Sequence, residues 1–492
     1  MTYNQARLTR ENDRPLARDA DYVLYWMQAS RRLHHNHALD YALRCARELN
    51  KPLVVFEAVR HDYPWATART HRFVLEGMLA NREAAAKLGV TYWPFVGSPS
   101  DPGRGLMRRI ASRACLVVTD DYPCFVIPEH TAAVAKKADR AVFAVDSNSV
   151  VPLRLLGDPV SAAAHLRPRI HKAFNDAWKH RAAAVPDVPE AATRKVEADF
   201  ATWSGDVDAT LAALPIDHAV APIATSPGGD AAARARFDRF LERSLPRCAE
   251  DRSKPLPPEQ SAVSGLSPYL HFGHISIEEV ASSVLRAAYG TADIATGAPG
   301  KREGFYGSDA NVNAFLDEAI TWRDVGYHWH TKRRADTATL AKALPAWAQA
   351  SLGKHAEDRR AHVYTLAEWE RAATHDRLWN AAQTELVRTG TMHNYLRMLW
   401  GKKVLEWSAT VDDAYATLVH LNNKYALDGR DPNSYTGILW CFGLFDRPWA
   451  PERPVFGTIR YMSSDNTAKK FKLDAYLAYV TSLDAKARKT KP

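Results

Sequence analysis

Cysteine is scarce in this chain. Five occur in 492 residues (Cys45, Cys115, Cys124, Cys248, Cys441), an odd number scattered without paired spacing. That excludes a disulfide scaffold and a cysteine-held metal knuckle, so no metal is expected and a reduced compartment is. No apolar run reaches the roughly 18 residues a membrane helix needs, so no membrane partner is expected. The opening Met1-Thr2-Tyr3-Asn4-Gln5-Ala6-Arg7 lacks an apolar stretch of signal type, which gives the expectation of a cytoplasmic protein. Low-complexity tracts and internal repeats are also missing, apart from the basic end Lys486-Ala487-Arg488-Lys489-Thr490-Lys491-Pro492, read as a solvated tail.

Acidic residues are outnumbered, 56 against 65 Lys plus Arg, a balance of +9. Such a surface favours a polyanionic partner, although many basic enzymes never meet nucleic acid. Tryptophan is more telling. Nine of fourteen (Trp322, Trp329, Trp347, Trp369, Trp379, Trp400, Trp407, Trp440, Trp449) fall from residue 322 onward.

Short apolar runs at 22–26, 52–56, 91–96, 115–120 and 141–146 alternate with helical patterns such as 37–49 and 70–88. Strands apolar on both faces and separated by helices predict a doubly wound parallel sheet, an α/β domain over 1–184. Ligands of such sheets sit beyond the carboxyl ends of the strands, here near Trp26, Phe56 and Asp120. Neither G-x-G-x-x-G nor a Walker A sequence follows any of them, which argues against an ordinary dinucleotide or P-loop site. Residues 185–229 turn to Ala, Pro, Asp, Thr and Gly and read as a linker. From 230 to 483 the periodicity is helical, with helices expected at 230–243, 275–289, 311–322 and 375–406, and 484–492 form the tail. Two domains follow, α/β then all-α.

Four segments could carry chemistry. Glu318 and Trp322, four apart, place a carboxylate beside an indole on one helix face, an arrangement suited to a heterocyclic base; spacing alone describes an amphipathic helix equally well. Trp400 and Trp407 lie two turns apart, about 10 Å, a separation open to electron hopping and equally to a core stripe. Asn394 and Arg397 are polar positions in that apolar helix and need partners. Residues 422–433 form a polar loop that could wrap a ligand or simply turn, and Ser264-Gly265-Leu266-Ser267-Pro268 could bind phosphate or cap a helix.

The order of these segments resembles the photolyase/cryptochrome superfamily, most closely its class II cyclobutane pyrimidine dimer photolyases. The motifs are Tyr25-Trp26-Met27-Gln28, Leu266-Ser267-Pro268-Tyr269-Leu270-His271-Phe272-Gly273, Leu378-Trp379-Asn380-Ala381-Ala382-Gln383, Tyr395-Leu396-Arg397-Met398, Trp400-Gly401-Lys402-Lys403, Leu427-Asp428-Gly429-Arg430-Asp431-Pro432-Asn433 and the stretch Arg453 to Met462. The resemblance implies an antenna domain joined to a helical domain that holds U-shaped FAD. Ser264, Leu266 and Ser267, with Arg252 nearby, correspond to phosphate-binding positions. Asn394, Arg397, Asp428 and Asp431 correspond to flavin and adenine positions, and Asp446 with Arg447 to the acid and arginine beside the flavin. An asparagine faces flavin N5: Asn422 is preferred and Asn433 is the second choice.

By the same resemblance Glu318 bonds the dimer's carbonyl, Trp322 and Trp440 pack on its two rings, and Trp400, Trp379 and Trp407 relay electrons to oxidised flavin. Arg453 and Arg460 contact DNA. The expected activity is light-driven repair of UV-damaged DNA by a monomeric carbon–carbon lyase, with an 8-hydroxy-deazaflavin as candidate antenna. Phe445 stands where the family has a histidine, and the interval from Trp440 to Asp446 is one residue short, so a (6-4) lesion stays open. Two further readings are a cryptochrome-like blue-light photoreceptor, which the intact Glu318 disfavours, and a DNA-binding module with no cofactor.

Overall fold

A computed structural model describes residues 3–489. Its sheet has six strands, β1 (Leu8–Arg10), β2 (Tyr22–Met27), β3 (Leu53–Val59), β4 (Thr91–Val96), β5 (Ala114–Asp120) and β6 (Val142–Val145), in the order β1-β6-β5-β2-β3-β4. All neighbours are parallel except β1, which pairs antiparallel with β6. Every residue of β2 and β5 is buried, because helices cover both faces. Alternate side chains go to opposite cores. Val23, Tyr25, Val55 and Val118 meet the helix His37–Leu49 on one face. Leu24, Trp26, Val54, Phe56 and Val117 meet Leu106, Ile110 and Ala135 on the other.

The five expected strands are present to within a few residues, and β1 is an addition. Local chemistry sets the first helices: the Asn36 side chain accepts from Ala38 and Leu39 N–H, and Asn50 closes the helix in the left-handed conformation.

The remaining chain is helical and surrounds two cores. One gathers Phe237, Tyr269, Ile277, Phe315 and Tyr327; it also takes Val150, Leu153 and the helix Ala163–Trp178, so these segments pack with the helical half although they lie before residue 184. The other gathers Trp329, Trp369, Trp379, Trp400 and Trp407. The stretch 185–229 runs back over the α/β unit, where Trp203 and Leu211 bury against Val59, Leu75 and Met78.

Two expected helices are corrected. The span 311–322 is an α-helix only over Ala310–Leu316, then a π-helical turn over Asp317–Trp322. The span 375–406 is two helices, Arg377–Thr389 and Asn394–Trp407, broken at Gly390 (φ +68°), whose carbonyl accepts from Leu427 N–H at 2.9 Å. The last helix, Asp474–Lys489, enters the expected tail, and Thr490 to Pro492 lie outside the described residues. Among the described residues no helix is long and apolar enough to cross a membrane. The five cysteines are buried and free.

Candidate functional site

The crevice beyond the strands, between β2 and β5 where the strand order reverses, closes on itself. Asp120 Oδ2 accepts from three successive backbone N–H groups, Gln28 at 2.8 Å, Ala29 at 2.7 Å and Ser30 at 3.0 Å, while Oδ1 accepts from Tyr25 at 2.9 Å. Three convergent amides would suit a phosphate, and here the chain's own carboxylate takes that place. Beside it lies a cavity of only about 20 Å³, bordered by Ser30, Arg32, Tyr122, His271, Arg323 and Tyr327. That is room for a water, not for a tricyclic chromophore.

Asp431 seals the same region. Its Oδ2 accepts from Tyr327 (2.8 Å) and Tyr122 (3.1 Å) and meets His271 Nδ1 at 3.3 Å, while Oδ1 caps Asn433 N–H at 2.7 Å. Burial pushes this carboxyl up; the His271 hydrogen bond and the Arg323 charge more than offset it, holding the pKa at about 2. Oδ2 thus ties Tyr122 of the α/β half to Tyr327 and His271 of the helical half, while Oδ1 caps its own helix. Asn433 starts the helix Pro432–Cys441 and sits against Gly326, where a Cβ would come within 2.6 Å of its Oδ1. This close approach seats the helix that follows Trp322 on the helix that carries Trp440.

The π-helical turn presents Glu318 and Trp322 to solvent, 43% and 45% exposed. π-Turns recur at functional sites because they re-aim side chains that an α-helix would point elsewhere. The neighbouring Asp317 is buried and clamped by Arg167 through two hydrogen bonds, at 2.7 and 3.0 Å. Glu318 stands 3.6 Å from Arg252 and 3.9 Å from Arg302. Desolvation pushes its carboxyl above the ordinary glutamate value, against the pull of Arg252. Arg252 therefore joins Glu318, whereas Ser264, Leu266 and Ser267 lie at the start of the short helix Ser267–His271. Arg236 packs there: a Cβ on Gly265 would meet its guanidinium at 2.4 Å, and its buried Nε has no partner.

Trp440 lines a separate cleft of about 410 Å³ with Met398, Trp449, Arg453, Arg460 and Tyr461; Glu318 and Trp322 are outside that lining. Lys402, fully buried, donates to Cys441 O at 2.8 Å and lies 4.5 Å from the Trp440 ring centroid. Burial lowers its pKa to about 8. Asp446 accepts from Trp449 Nε1 at 3.1 Å and faces Arg460 at 3.3 Å. Arg447 and Arg460 lie over the Trp449 ring, and Arg453 over Tyr461. Asp446 and Arg447 thus form the rim of this cleft.

Asn422 is buried, yet its amide makes only a 3.3 Å bond to Asn423. Arg397 pairs with Asp428 at 3.1 Å, and Asn394 is exposed at the start of its helix. Trp400 donates to Gln383 Oε1 at 2.9 Å, leaving Gln383 Nε2 buried without a partner. The Trp379 ring stacks on Trp400 with centroids 6.5 Å apart and planes at 8°. Trp379 does not pass directly to Trp407. Trp369 stands between them, 4.7 Å from Trp379 and 6.2 Å from Trp407, stacked on the latter. At the outer end Tyr364 packs on Trp369 and Trp407, and its hydroxyl bonds His375 Nδ1 at 2.5 Å.

With this geometry in view, likeness to known proteins becomes informative. The sequence pattern described as DNA photolyase matches residues 23–192. A deoxyribodipyrimidine photo-lyase of Methanothermobacter thermautotrophicus is 34% identical over 466 residues, spanning 94% of this chain and 95% of its own. One from Oryza sativa subsp. japonica is 33% identical, spanning 95% and 89%. The chain belongs to the DNA photolyase family.

As a photolyase it is a lyase of the flavoprotein class, as its motifs led us to expect. The fold agrees as well: a class III photolyase from Agrobacterium tumefaciens superposes with a TM-score of 0.66 at 18% identity, covering 94% of this chain and 86% of that one. A cryptochrome from Synechocystis sp. PCC6803 gives 0.67 at 16%, covering 93% and 88%. Sequence reasoning missed Trp369, Arg236, Arg302 and Lys402. Trp369 lies 31 positions before Trp400 on its own short helix, Leu366–Glu370, so no helical spacing joins them.

Proposed function

We propose that this photolyase repairs cyclobutane pyrimidine dimers in DNA, as a class II-type enzyme, using blue light and reduced FAD. The observation that carries the reading is the Glu318–Trp322 pair, offered to solvent by a π-turn that a stable core has no need of. A dimer is poorly stacked, which lowers the cost of swinging it out of the duplex. Trp322 gives an apolar wall for such a lesion, while Trp440 lines the separate cleft. Glu318, offered to solvent beside Trp322, is the group set against a pyrimidine carbonyl, and desolvation raises its carboxyl above the ordinary glutamate value. Arg453 and Arg460, on the cleft rim, hold phosphates and so position DNA without reading its sequence.

The donor set suits FAD. Arg236, with Ser264 and Ser267, offers unsatisfied N–H and hydroxyl groups to a pyrophosphate; Asn422, Gln383 and the Arg397–Asp428 pair offer amide and charged partners to the heterocycles, with Asn394 at their edge. FAD held by these residues would supply the photochemical electron donor for a lesion. Trp400, Trp379, Trp369 and Trp407 provide a chain of buried, contacting indoles, stacked at two of its three steps, along which an electron could reach oxidised flavin. No step is assigned to an antenna chromophore.

The test is illumination of the flavin-loaded chain with oligonucleotides carrying either a cyclobutane dimer or a (6-4) product. Restored pyrimidines from the first substrate, under light alone, support the proposal. Repair of the second instead assigns the other lesion, and photoreduction without repair assigns a photoreceptor.

A further inference from the structure

Away from that site, where the α/β loop meets the helical half, His34, His35 and Glu279 bring three ligand atoms within 4.8 Å of one another. They come from separate elements: the loop between β2 and the helix His37–Leu49, and the helix Ile277–Tyr289. A fourth group, Asp230, begins the helix Asp230–Arg243 and stands 3.4 Å from His34 Nε2.

We propose that this cluster is a binding site for a divalent transition metal of zinc type, which clamps the loop to the helical half. Ligands about 2.0–2.1 Å from a tetrahedral zinc lie roughly 3.3–3.4 Å apart. His34 Nδ1 and Glu279 Oε2 are 3.3 Å apart. His35 Nδ1 is buried with no hydrogen-bond partner, and Glu279 Oε2 has only the 3.3 Å approach of His34 Nδ1, a state that a metal ion relieves. Asp230 on the far nitrogen of His34 has the place of the outer carboxylate that orients a metal-bound imidazole.

The scaffold is set in advance. Arg32 donates to Gly273 O at 2.9 Å and to His35 O at 3.0 and 3.1 Å, and His35 N–H donates to Ala183 O at 2.7 Å. His35 is held at φ +44°, an uncommon conformation for a side chain of its size. One group competes: Arg234 bonds Glu279 Oε1 at 2.8 Å and brings Nη2 within 2.9 Å of His34. It is 44% exposed and can swing into solvent, leaving the two carboxylates to balance a dication. Two imidazoles and a carboxylate favour zinc, cobalt or nickel over magnesium or calcium.

The experiment uses the full flavin-loaded chain, dialysed against EDTA and titrated separately with zinc, cobalt and magnesium chlorides. Expected results are saturable uptake of one zinc per chain, visible ligand-field bands with cobalt, a higher melting temperature with zinc, and no effect of magnesium. Glu279→Gln, nearly isosteric, should weaken zinc binding at least tenfold, and Asp230→Asn about tenfold. Arg234→Ala should tighten it. No saturable zinc uptake by the parent chain, or uptake unchanged in the folded His34→Ala/His35→Ala variant, overturns the proposal. Photoreduction in all these variants should match the parent.

Discussion

The two halves of the molecule handle polar groups in opposite ways. At the sheet's carboxyl end, where a doubly wound domain ordinarily takes its ligand, Asp120 takes three backbone amides and Asp431 takes Tyr122 and Tyr327, leaving about 20 Å³. In the helical half Gln383 and Arg236 keep unmatched N–H groups, Asn422 is hardly used, Trp322 is bare, and a cleft of about 410 Å³ stands open. One region has turned its binding geometry into an internal fastening, and the other has kept it for a guest. A fold's usual ligand place is therefore a weaker guide than the count of groups left without partners.

Five substitutions probe that contrast, taken from the largest expected effect to the smallest. Trp400→Phe should cut photoreduction of oxidised flavin by about 100-fold or more while leaving repair by chemically reduced enzyme intact. Transient absorption together with a repair assay separates the two. Trp369→Phe should slow photoreduction as well, which checks whether the indole between Trp379 and Trp407 lies on the route. Glu318→Ala should lower repair by about 10- to 100-fold, the loss of a hydrogen bond to a charged group worth about 1.5–3 kcal/mol, with flavin absorption unchanged.

In the fastened region the effects should fall on stability instead. Asp431 is held at about 2 when folded, against roughly 3.9 when unfolded, so between those pH values the unfolded chain binds more protons and stability falls as pH drops. The full contribution, present above about pH 5, is of order 2–3 kcal/mol. Asp431→Asn should flatten this part of the pH–stability curve in denaturant melts. Asp120→Asn should cost about 1–3 kcal/mol by loosening the amide nest, and repair per folded molecule should stay as in the parent.

How much of this could be read from residues alone differs between the halves for a physical reason. Five strands were legible because burial on both faces leaves unbroken apolar runs. β1 was not, being three half-exposed residues at an edge. The break at Gly390 carried a signal, a glycine within an otherwise helical pattern, which the continuous reading of 375–406 passed over. The π-turn carried none, since tertiary clamping of Asp317 by Arg167 accompanies it. Likewise, Asp431 fits the family motif, yet only packing shows its carboxylate spent on Tyr122, Tyr327 and His271. The two asparagines left open by the loop both keep hydrogen-bonding capacity: Asn422 is buried with one 3.3 Å bond to Asn423, and the Asn433 side chain lies against Gly326.

The most direct test of the whole account is a light–dark comparison of cyclobutane-dimer repair by the flavin-reduced parent chain and by Glu318→Ala. The account requires dimer loss under blue light, none in darkness, and a reduction of at least tenfold in the variant. Equal repair in light and dark, or an unimpaired Glu318→Ala enzyme, would contradict it.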